Sequence, residues 1–294
     1  MVESLKEAGR NTPSAENLTA AMPLVTVIIP TWNRAASLRK AIESAIAQTG
    51  VSIEILVCDD GSTDGSREVV EAIGDPRVFW INGFHAGYPA VPRNRGIRAS
   101  RGEWIAFLDS DDEWYPTKLK EQLEFAVHGS LSAVCSNAVR VDPARGPVGN
   151  LISFAGDKLG LSDLLYDNRV ITSSVLVRRE ALLSAEGFPE KQGLRIGEDY
   201  ALWLRLAFSQ PFGLINKPLV NYFDSPQTSV RRFSPSAATQ RRRAVFDFLG
   251  WNMTKGFSQL LIAFCVTLGP IMKIEMLGAL SRVRGLMRHA VAKR

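Results

Sequence analysis

The sequence predicts an α/β protein built on a parallel, doubly wound sheet, and three observations predict it. Short β-branched apolar runs alternate with segments of helical periodicity through the first half of the chain, the rhythm of strands joined by crossover helices. Three of those runs end in polar clusters: Pro30-Thr31-Trp32-Asn33, Asp59-Asp60 and Asp109-Ser110-Asp111. In a parallel sheet such ends converge on one carboxyl edge, where open α/β sheets bind ligands. The composition, 46% hydrophobic and 22% charged over 294 residues, is that of a globular protein with chain enough for one large core or two small ones.

Residues 1–22 are polar, lack the apolar stretch of a signal peptide, and are expected to form a flexible leader. Residues 25–30 read as a buried strand that Pro30 stops. A helix opened by Ser37 follows, with Leu38, Ile42, Ala45 and Ile46 at helical spacing. The next strand, 53–58, runs into Asp59-Asp60-Gly61-Ser62, and Asp64 or Ser66 starts a helix with Val69, Val70 and Ile73 on one face. Residues 77–81 form a third strand, 93–100 a short helix and 104–108 a fourth strand. The helix over 116–127 carries Leu119, Leu123 and Val127 in register.

The second half is less regular. Strands are expected at 133–141, 172–177 and 214–222, and helices at 161–166 and 198–208, the latter carrying Tyr200, Leu202, Trp203 and Leu206. Residues 223–239, rich in Ser, Pro and Arg, read as a linker, followed by a helix over 244–251 and an apolar stretch over 257–272. The expected organisation is therefore a catalytic-type domain over 23–222, a linker and basic helix over 223–250, and an apolar and basic helical tail over 251–294.

The acid cluster after Leu108 carries the most chemistry. Asp109, Asp111 and Asp112 crowd the end of an apolar run, and a divalent cation such as Mg2+ or Mn2+ suits such a cluster because hard cations prefer carboxylate oxygens and keep sites for water and phosphate. A capping role for Asp112 ahead of the helix after Pro116 is the structural alternative. Other chemistries are excluded or unsupported. GxGxxG and GxxxxGK[ST] are absent, so the usual dinucleotide and P-loop phosphate cradles are missing. His85, His128 and His289 share no ligand spacing and are not assigned to metal. Cys58, Cys135 and Cys265 have no paired spacing, which points to a reducing compartment without disulfides, and the glycosylation patterns at Asn17 and Asn252 are read as chance matches.

Five ordered motifs then carry a family resemblance. They are Val-Ile-Ile-Pro30-Thr-Trp-Asn-Arg34, Val-Cys-Asp59-Asp60-Gly-Ser-Thr-Asp64, Pro-Arg93-Asn94-Arg-Gly96, Ala-Phe-Leu-Asp109-Ser-Asp111-Asp112 and Gly-Glu198-Asp199-Tyr-Ala-Leu-Trp-Leu-Arg205. Over about residues 24–222 the chain resembles a family 2 glycosyltransferase, an inverting enzyme of the GT-A fold with a Rossmann-like mixed sheet. The resemblance implies a nucleotide-diphospho-sugar donor, most readily a UDP-sugar, and a glycan or glycolipid acceptor in surface polysaccharide or glycolipid synthesis. By the same resemblance Pro30 and Trp32 border the base and Asp60 accepts from a ring N–H. Arg93 and Asn94 face the pyrophosphate and sugar, Asp109 binds sugar or ribose hydroxyls or a metal-bound water, and Asp111 ligates the metal. Asp199 acts as the catalytic base, with Glu198 assisting its orientation. Five of these residues also have a structural reading: a core aromatic for Trp32, an Asx-turn or cap for Asp60, an exposed helix-start arginine for Arg93, and a dipole-favoured acid pair for Glu198-Asp199.

A sugar-nucleotidyltransferase is a rival, but it would carry a Gly-rich basic loop where Pro30-Thr-Trp-Asn-Arg34 stands. A non-catalytic nucleotide-sugar or glycan-binding module would tolerate loss of either acid site, and both are intact. Gln240-Arg-Arg-Arg243-Ala244 only partly matches the Gln-x-x-Arg-Trp of processive synthases, so transfer of one sugar per encounter is expected.

The formal charge of +5 is concentrated toward the C-terminus, with Lys273, Arg282, Arg284, Arg288, Lys293 and Arg294 flanking the apolar stretch. That pattern suits anionic headgroups rather than nucleic acid, and 257–272 as a helix reaches only roughly 24 Å against a hydrocarbon core of about 30 Å. The tail is expected to dock on the membrane surface without spanning it, at the cytoplasmic face. The alternative is that it packs on the catalytic domain and covers the acceptor cleft.

Overall fold

The computed structural model describes residues 24–223, 236–256, 262, 263 and 267, and its elements follow the predicted alternation. In the first half these are β1 (Val25–Thr31), α1 (Ala35–Ile46), β2 (Ile53–Asp59), α2 (Ser66–Glu71), β3 (Val78–Ile81), α3 (Ala90–Ala99), β4 (Trp104–Phe107), β5 (Glu113–Trp114) and α4 (Lys118–His128). There follow β6 (Ala133–Asp142), β7 (Gly146–Asn150), β8 (Lys158–Leu159), α5 (Leu161–Tyr166), β9 (Leu176–Arg178), α6 (Arg179–Ser184), α7 (Glu198–Ser209), β10 (Phe212–Phe223) and α8 (Ala237–Thr254).

One ten-stranded sheet runs β3-β2-β1-β4-β9-β6-β10-β5, with β7 on β6 and β8 on β10. The strands β3, β2, β1 and β4 are parallel, and every residue of β1 and β2 is buried, as a sheet covered on both faces requires. Alternation along β1 sends Val25, Val27 and Ile29 to the face covered by α1, α2 and α4, and Ile28 to the face covered by α3, α5, α6, α7 and α8. The chain winds from β1 outward to β3 and returns to place β4 on the other side of β1. That reversal makes the crevice between the carboxyl ends of β1 and β4 the topological switch point.

Beyond β4 the parallel order of the first four strands gives way. β9 pairs antiparallel with both β4 and β6, and β5, β7 and β8 are further antiparallel additions, so the sheet is mixed, as the family resemblance implied. The chain from β6 to β9 is spent on β7 and β8, which pair antiparallel, and on α5, whose six residues reach only about 9 Å. The strand expected over 172–177 accordingly begins as a single 3-10 turn, Thr172–Ser174, before β9.

Three boundaries also differ. β1 runs through Pro30 to Thr31 instead of stopping at it. Leu108 and Trp104 donate to Ile28 and Leu24, so even-numbered positions of β1 face β4, where pairing ends at Ile28; the amide that Pro30 lacks has no ladder partner to lose. α3 begins at Ala90 and accommodates Pro92 in its first turn, where no intrahelical N–H is needed. α8 begins seven residues before the expected start, capped by Ser236, whose hydroxyl accepts from the Thr239 amide at 3.3 Å. Most of the expected linker and tail, including all but three residues of the apolar stretch over 257–272 and the basic run after it, lies outside the described residues, as does the leader.

Candidate active site

A cleft of about 900 Å³ opens at the switch point. Pro30, Trp32, Asp60, Arg93, Asp109, Asp111, Glu198 and Asp199 all line it, so the structure brings together eight of the nine predicted site residues. Asn94 is the exception. Its amide nitrogen donates to the Phe188 carbonyl and to Glu190 Oε1, both at 2.8 Å, and its carbonyl oxygen accepts from the Phe188 amide at 2.9 Å. Asn94 clamps the 188–190 segment and faces a different cavity, which corrects the expectation that it meets the donor. α3 turns about 100° per residue, and here that turn carries Asn94 away from the cleft toward Phe188 and Glu190 while Arg93 faces it.

α3 can lie close enough to aim Arg93 at the cleft because Gly96 faces the sheet. A Cβ there would stand 2.7 Å from Ile28 Cγ2 and 2.9 Å from Cys58 Sγ. Arg93 itself is buried and bridges both acid sites, donating from Nη2 to Asp109 Oδ1 at 2.7 Å and from Nη1 to Glu198 Oε1 at 2.8 Å. Its guanidinium also lies 5.3 Å from the centroid of the Phe188 ring. Burial opposes its charge, but Asp109 and Glu198 more than offset that and hold the proton more firmly than usual. Both terminal nitrogens are thus engaged by carboxylates, where the sequence suggested a guanidinium turned to phosphate.

The acids of the cluster divide the work. Asp109 is neutralised by Arg93. Asp112 is buried, accepts from the Ser173 hydroxyl at 2.5 Å and the Phe223 amide at 3.0 Å, and ties the cluster to the end of β10. Burial, then the charges of Asp109 and Asp111, push its carboxyl well above the usual range. Asp111 pairs with Arg34, whose Nη2 stands 3.5 Å away, and its side chain is 37% exposed. Burial and the neighbouring Asp109 raise its pKa, partly offset by Arg34.

That imbalance is the test of a cation at this place. Two adjacent carboxylates repel, one is satisfied by Arg93, and Asp111 keeps oxygens facing the cleft. Among the described residues no three His, Cys, Asp or Glu side chains close on a common point. The donor set fits a Mg2+-type ion that takes one or two carboxylates and completes its shell with phosphate and water.

The second acid site stands at the start of α7, after Gly197 in the left-handed region at φ +99°. Glu198 is buried, and burial followed by the charge of Asp199 pushes its pKa up to about 8, with Arg93 pulling the other way. Asp199 is half-buried; its Oδ2 accepts from the Thr172 hydroxyl at 3.0 Å and its Oδ1 from the Tyr200 amide at 2.7 Å.

On the opposite wall Asp60 is buried and accepts one backbone amide on each oxygen, from Ala86 and Gly87 at 2.9 Å, which fixes the 85–87 loop. Trp32 is 50% exposed and stacks on His85 with ring centroids 4.5 Å apart.

Residues the sequence reading passed over complete the site. The Thr172–Ser174 turn fastens both acid sites, because Thr172 holds Asp199 while the Ser173 hydroxyl accepts from the Asp109 amide and donates to Asp112. A Thr-Ser-Ser run following apolar residues was the available signal. Arg34, Arg169 and Arg195 also line the cleft.

The family model for glycosyl transferase family 2 matches residues 26–183. The succinoglycan biosynthesis protein ExoO of Rhizobium meliloti is 36% identical over 193 residues, covering 62% of this chain and 55% of its own length. The UDP-Glc:alpha-D-GlcNAc-diphosphoundecaprenol beta-1,3-glucosyltransferase WfgD of Escherichia coli is 31% identical over 193 residues, covering 66% of this chain and 73% of its own. The chain therefore spans about half of ExoO and about three quarters of WfgD. The structure of S. aureus TarS in complex with UDP-GlcNAc superposes with a TM-score of 0.68 at 17% identity, over 84% of this chain and 71% of that one, a likeness of fold.

Proposed function

Because the chain belongs to glycosyl transferase family 2, we propose that it moves a sugar from a nucleotide-diphospho-sugar to an acceptor hydroxyl with inversion. The donor in this reading is a UDP-sugar and the acceptor a glycan or glycolipid of surface polysaccharide synthesis, the reaction running at the cytoplasmic side of the membrane. A uridine-nucleotide donor is supported by the activity of WfgD and the ligand of TarS, and a glycolipid acceptor by WfgD.

The observation that carries the reading is the division of labour between the acid sites lining one cleft. Asp111 has oxygens to spare for a cation, whereas Asp199, across the Arg93 bridge, is open to the cleft and held by donors on both oxygens. In the proposed reaction the nucleoside lies between Trp32 and Asp60, and Asp111 would hold the Mg2+ or Mn2+. When bound, that ion offsets charge on the departing diphosphate. Asp199 takes the acceptor proton as the hydroxyl attacks the anomeric carbon from the face opposite the leaving group. Glu198 and Arg93 keep Asp199 and Asp109 in place, and no covalent enzyme intermediate is needed.

Incubation with a panel of nucleotide-sugars and Mn2+ tests this. UDP release that depends on acceptor supports transfer, release of pyrophosphate would indicate a nucleotidyltransferase, and binding without release would indicate a non-catalytic module.

A further inference from the structure

We propose that the Thr172–Ser174 turn couples the two acid sites, so that filling the donor end of the cleft sets the aim of Asp199. Thr172 and Ser173 are the positioning residues, and Trp114 and Gln122 anchor them. The inference rests on the glycosyltransferase reading, in which cation and nucleotide meet the 109–112 cluster and Asp199 takes the acceptor proton.

Ser173 is tied at three points to the 109–114 stretch. Its hydroxyl accepts from the Asp109 amide at 3.1 Å and donates to Asp112 Oδ2 at 2.5 Å, and its carbonyl accepts from Trp114 Nε1 at 2.7 Å. The next carbonyl, of Ser174, accepts from Gln122 Nε2 of α4 at 2.7 Å. Gln122 Oε1 in turn accepts from Lys118 Nζ at 2.6 Å, and that nitrogen lies 4.1 Å from the centroid of the Trp114 ring. Lys118, Gln122, Ser173 and Ser174 are fully buried, so the rear of the turn is set in packed interior. On its front Thr172 donates to Asp199 Oδ2 at 3.0 Å, and the other oxygen of that carboxylate accepts from the Tyr200 amide at 2.7 Å.

Asp109 is therefore joined to the second acid site twice. Its carboxylate reaches Glu198 through Arg93, and its backbone amide reaches Asp199 through Ser173 and Thr172. The second route is short, since adjacent Cα atoms lie about 3.8 Å apart. It also has little slack, because both carbonyls behind it are held. A close-packed, hydrogen-bonded interior passes a small displacement on instead of absorbing it. Packing alone does not call for these hydroxyls: a buried hydroxyl costs stability unless it is bonded, and apolar residues of similar size would fill the same space. When a cation and diphosphate settle against the 109–112 cluster, the shift of its backbone is carried to Thr172, and with it the Asp199 oxygen that Thr172 holds.

The test is hydrogen exchange of the 197–203 segment in the full chain, with and without saturating UDP and Mn2+. The Tyr200 amide reports the aim of Asp199, and UDP carries no sugar to fill the space beside it. UDP and Mn2+ should slow exchange there about fivefold or more in the wild type, but less than about twofold in Thr172→Val and in Trp114→Phe, each held at saturating ligand. Thr172→Ser keeps the hydroxyl and should restore the protection. Turnover at saturating donor should follow the same order, about tenfold lower for Thr172→Val than for Thr172→Ser. Equal protection in wild type and variants, or none in the wild type although UDP binds, overturns the coupling and leaves the donor reading standing. A lowered melting temperature with protection intact also overturns it, since the turn would then serve stability alone. Trp114→Phe, which removes only the donor to the Ser173 carbonyl, decides the matter if Thr172→Val does not fold. If UDP and Mn2+ fail to bind the wild type, the glycosyltransferase reading falls, and the coupling with it.

Discussion

At the scale of single residues, the acid sites make separable predictions. Asp111→Asn keeps the side chain's shape and removes the charge that would hold a cation, so turnover should fall by about two to three orders of magnitude. Donor affinity should also weaken in Mn2+ buffer and stop responding to chelator; near-native turnover would remove the metal role from this loop. Asp199→Asn should lose about two to four orders of magnitude in rate while still binding donor and metal. If that variant fails to bind donor but keeps its rate per bound donor, Asp199 is not the base. Glu198 adds a pH signature. Its folded-state pKa, raised from 4.5 to about 8 by burial and Asp199, means that its proton contributes stability fully below about 4.5, and that the contribution is lost as pH rises through 8. Urea midpoints at pH 5 and pH 8.5 should therefore fall more steeply for the wild type than for Glu198→Gln, and parallel changes would count against a buried, proton-holding Glu198.

Within elements, much of the site could be read from sequence because it lies at strand ends. Asp60, Asp109 and Asp111 follow apolar runs whose parallel pairing is dictated by burial on both faces, so their convergence needed no knowledge of side-chain partners. Side chains on helices were less legible. Arg93 and Asn94 are adjacent in sequence yet serve different cavities, because the rotation of α3 about its axis is set by the approach of Gly96 to Ile28 and Cys58. The turn at Thr172–Ser174 escaped notice because apolar residues on either side made a continuous strand the simpler reading. α8 was foreseen in part, but its anchor was not. Asp247 on α8 is buried and accepts from Arg205 on α7 and from Lys191, each at 2.5 Å, while Arg205 lies 5.6 Å from the Trp251 ring. Asp247→Ala would leave the buried Arg205 charge with its backbone acceptor alone and should cost about 3–5 kcal/mol in a urea titration. Adding Arg205→Met should restore a good part of that loss, whereas simple additivity of the two substitutions would show that the pair does not anchor α8.

For the whole molecule, the question is how a chain whose described helices include none long and apolar enough to cross a membrane would meet a lipid-borne acceptor. We expect the apolar and basic residues after α8 to bring the two together. Phe257, Leu260, Leu261 and Ile262 head a stretch too short to span about 30 Å of hydrocarbon, and Lys273, Arg282, Arg284 and Arg288 follow it. If this stretch docks on an anionic surface it does so through burial and charge together, so the binding should weaken with salt. A truncation that tests this has to spare α8, because Trp251 packs beside Arg205 and Lys255. The chain ended after Gly256 should therefore fold, bind UDP as the full chain does, and fail to float with phosphatidylglycerol liposomes. The full chain should float at low salt and release as ionic strength rises. Flotation of both chains alike would move membrane contact to the catalytic domain, and flotation of neither would leave the acceptor to arrive by another route.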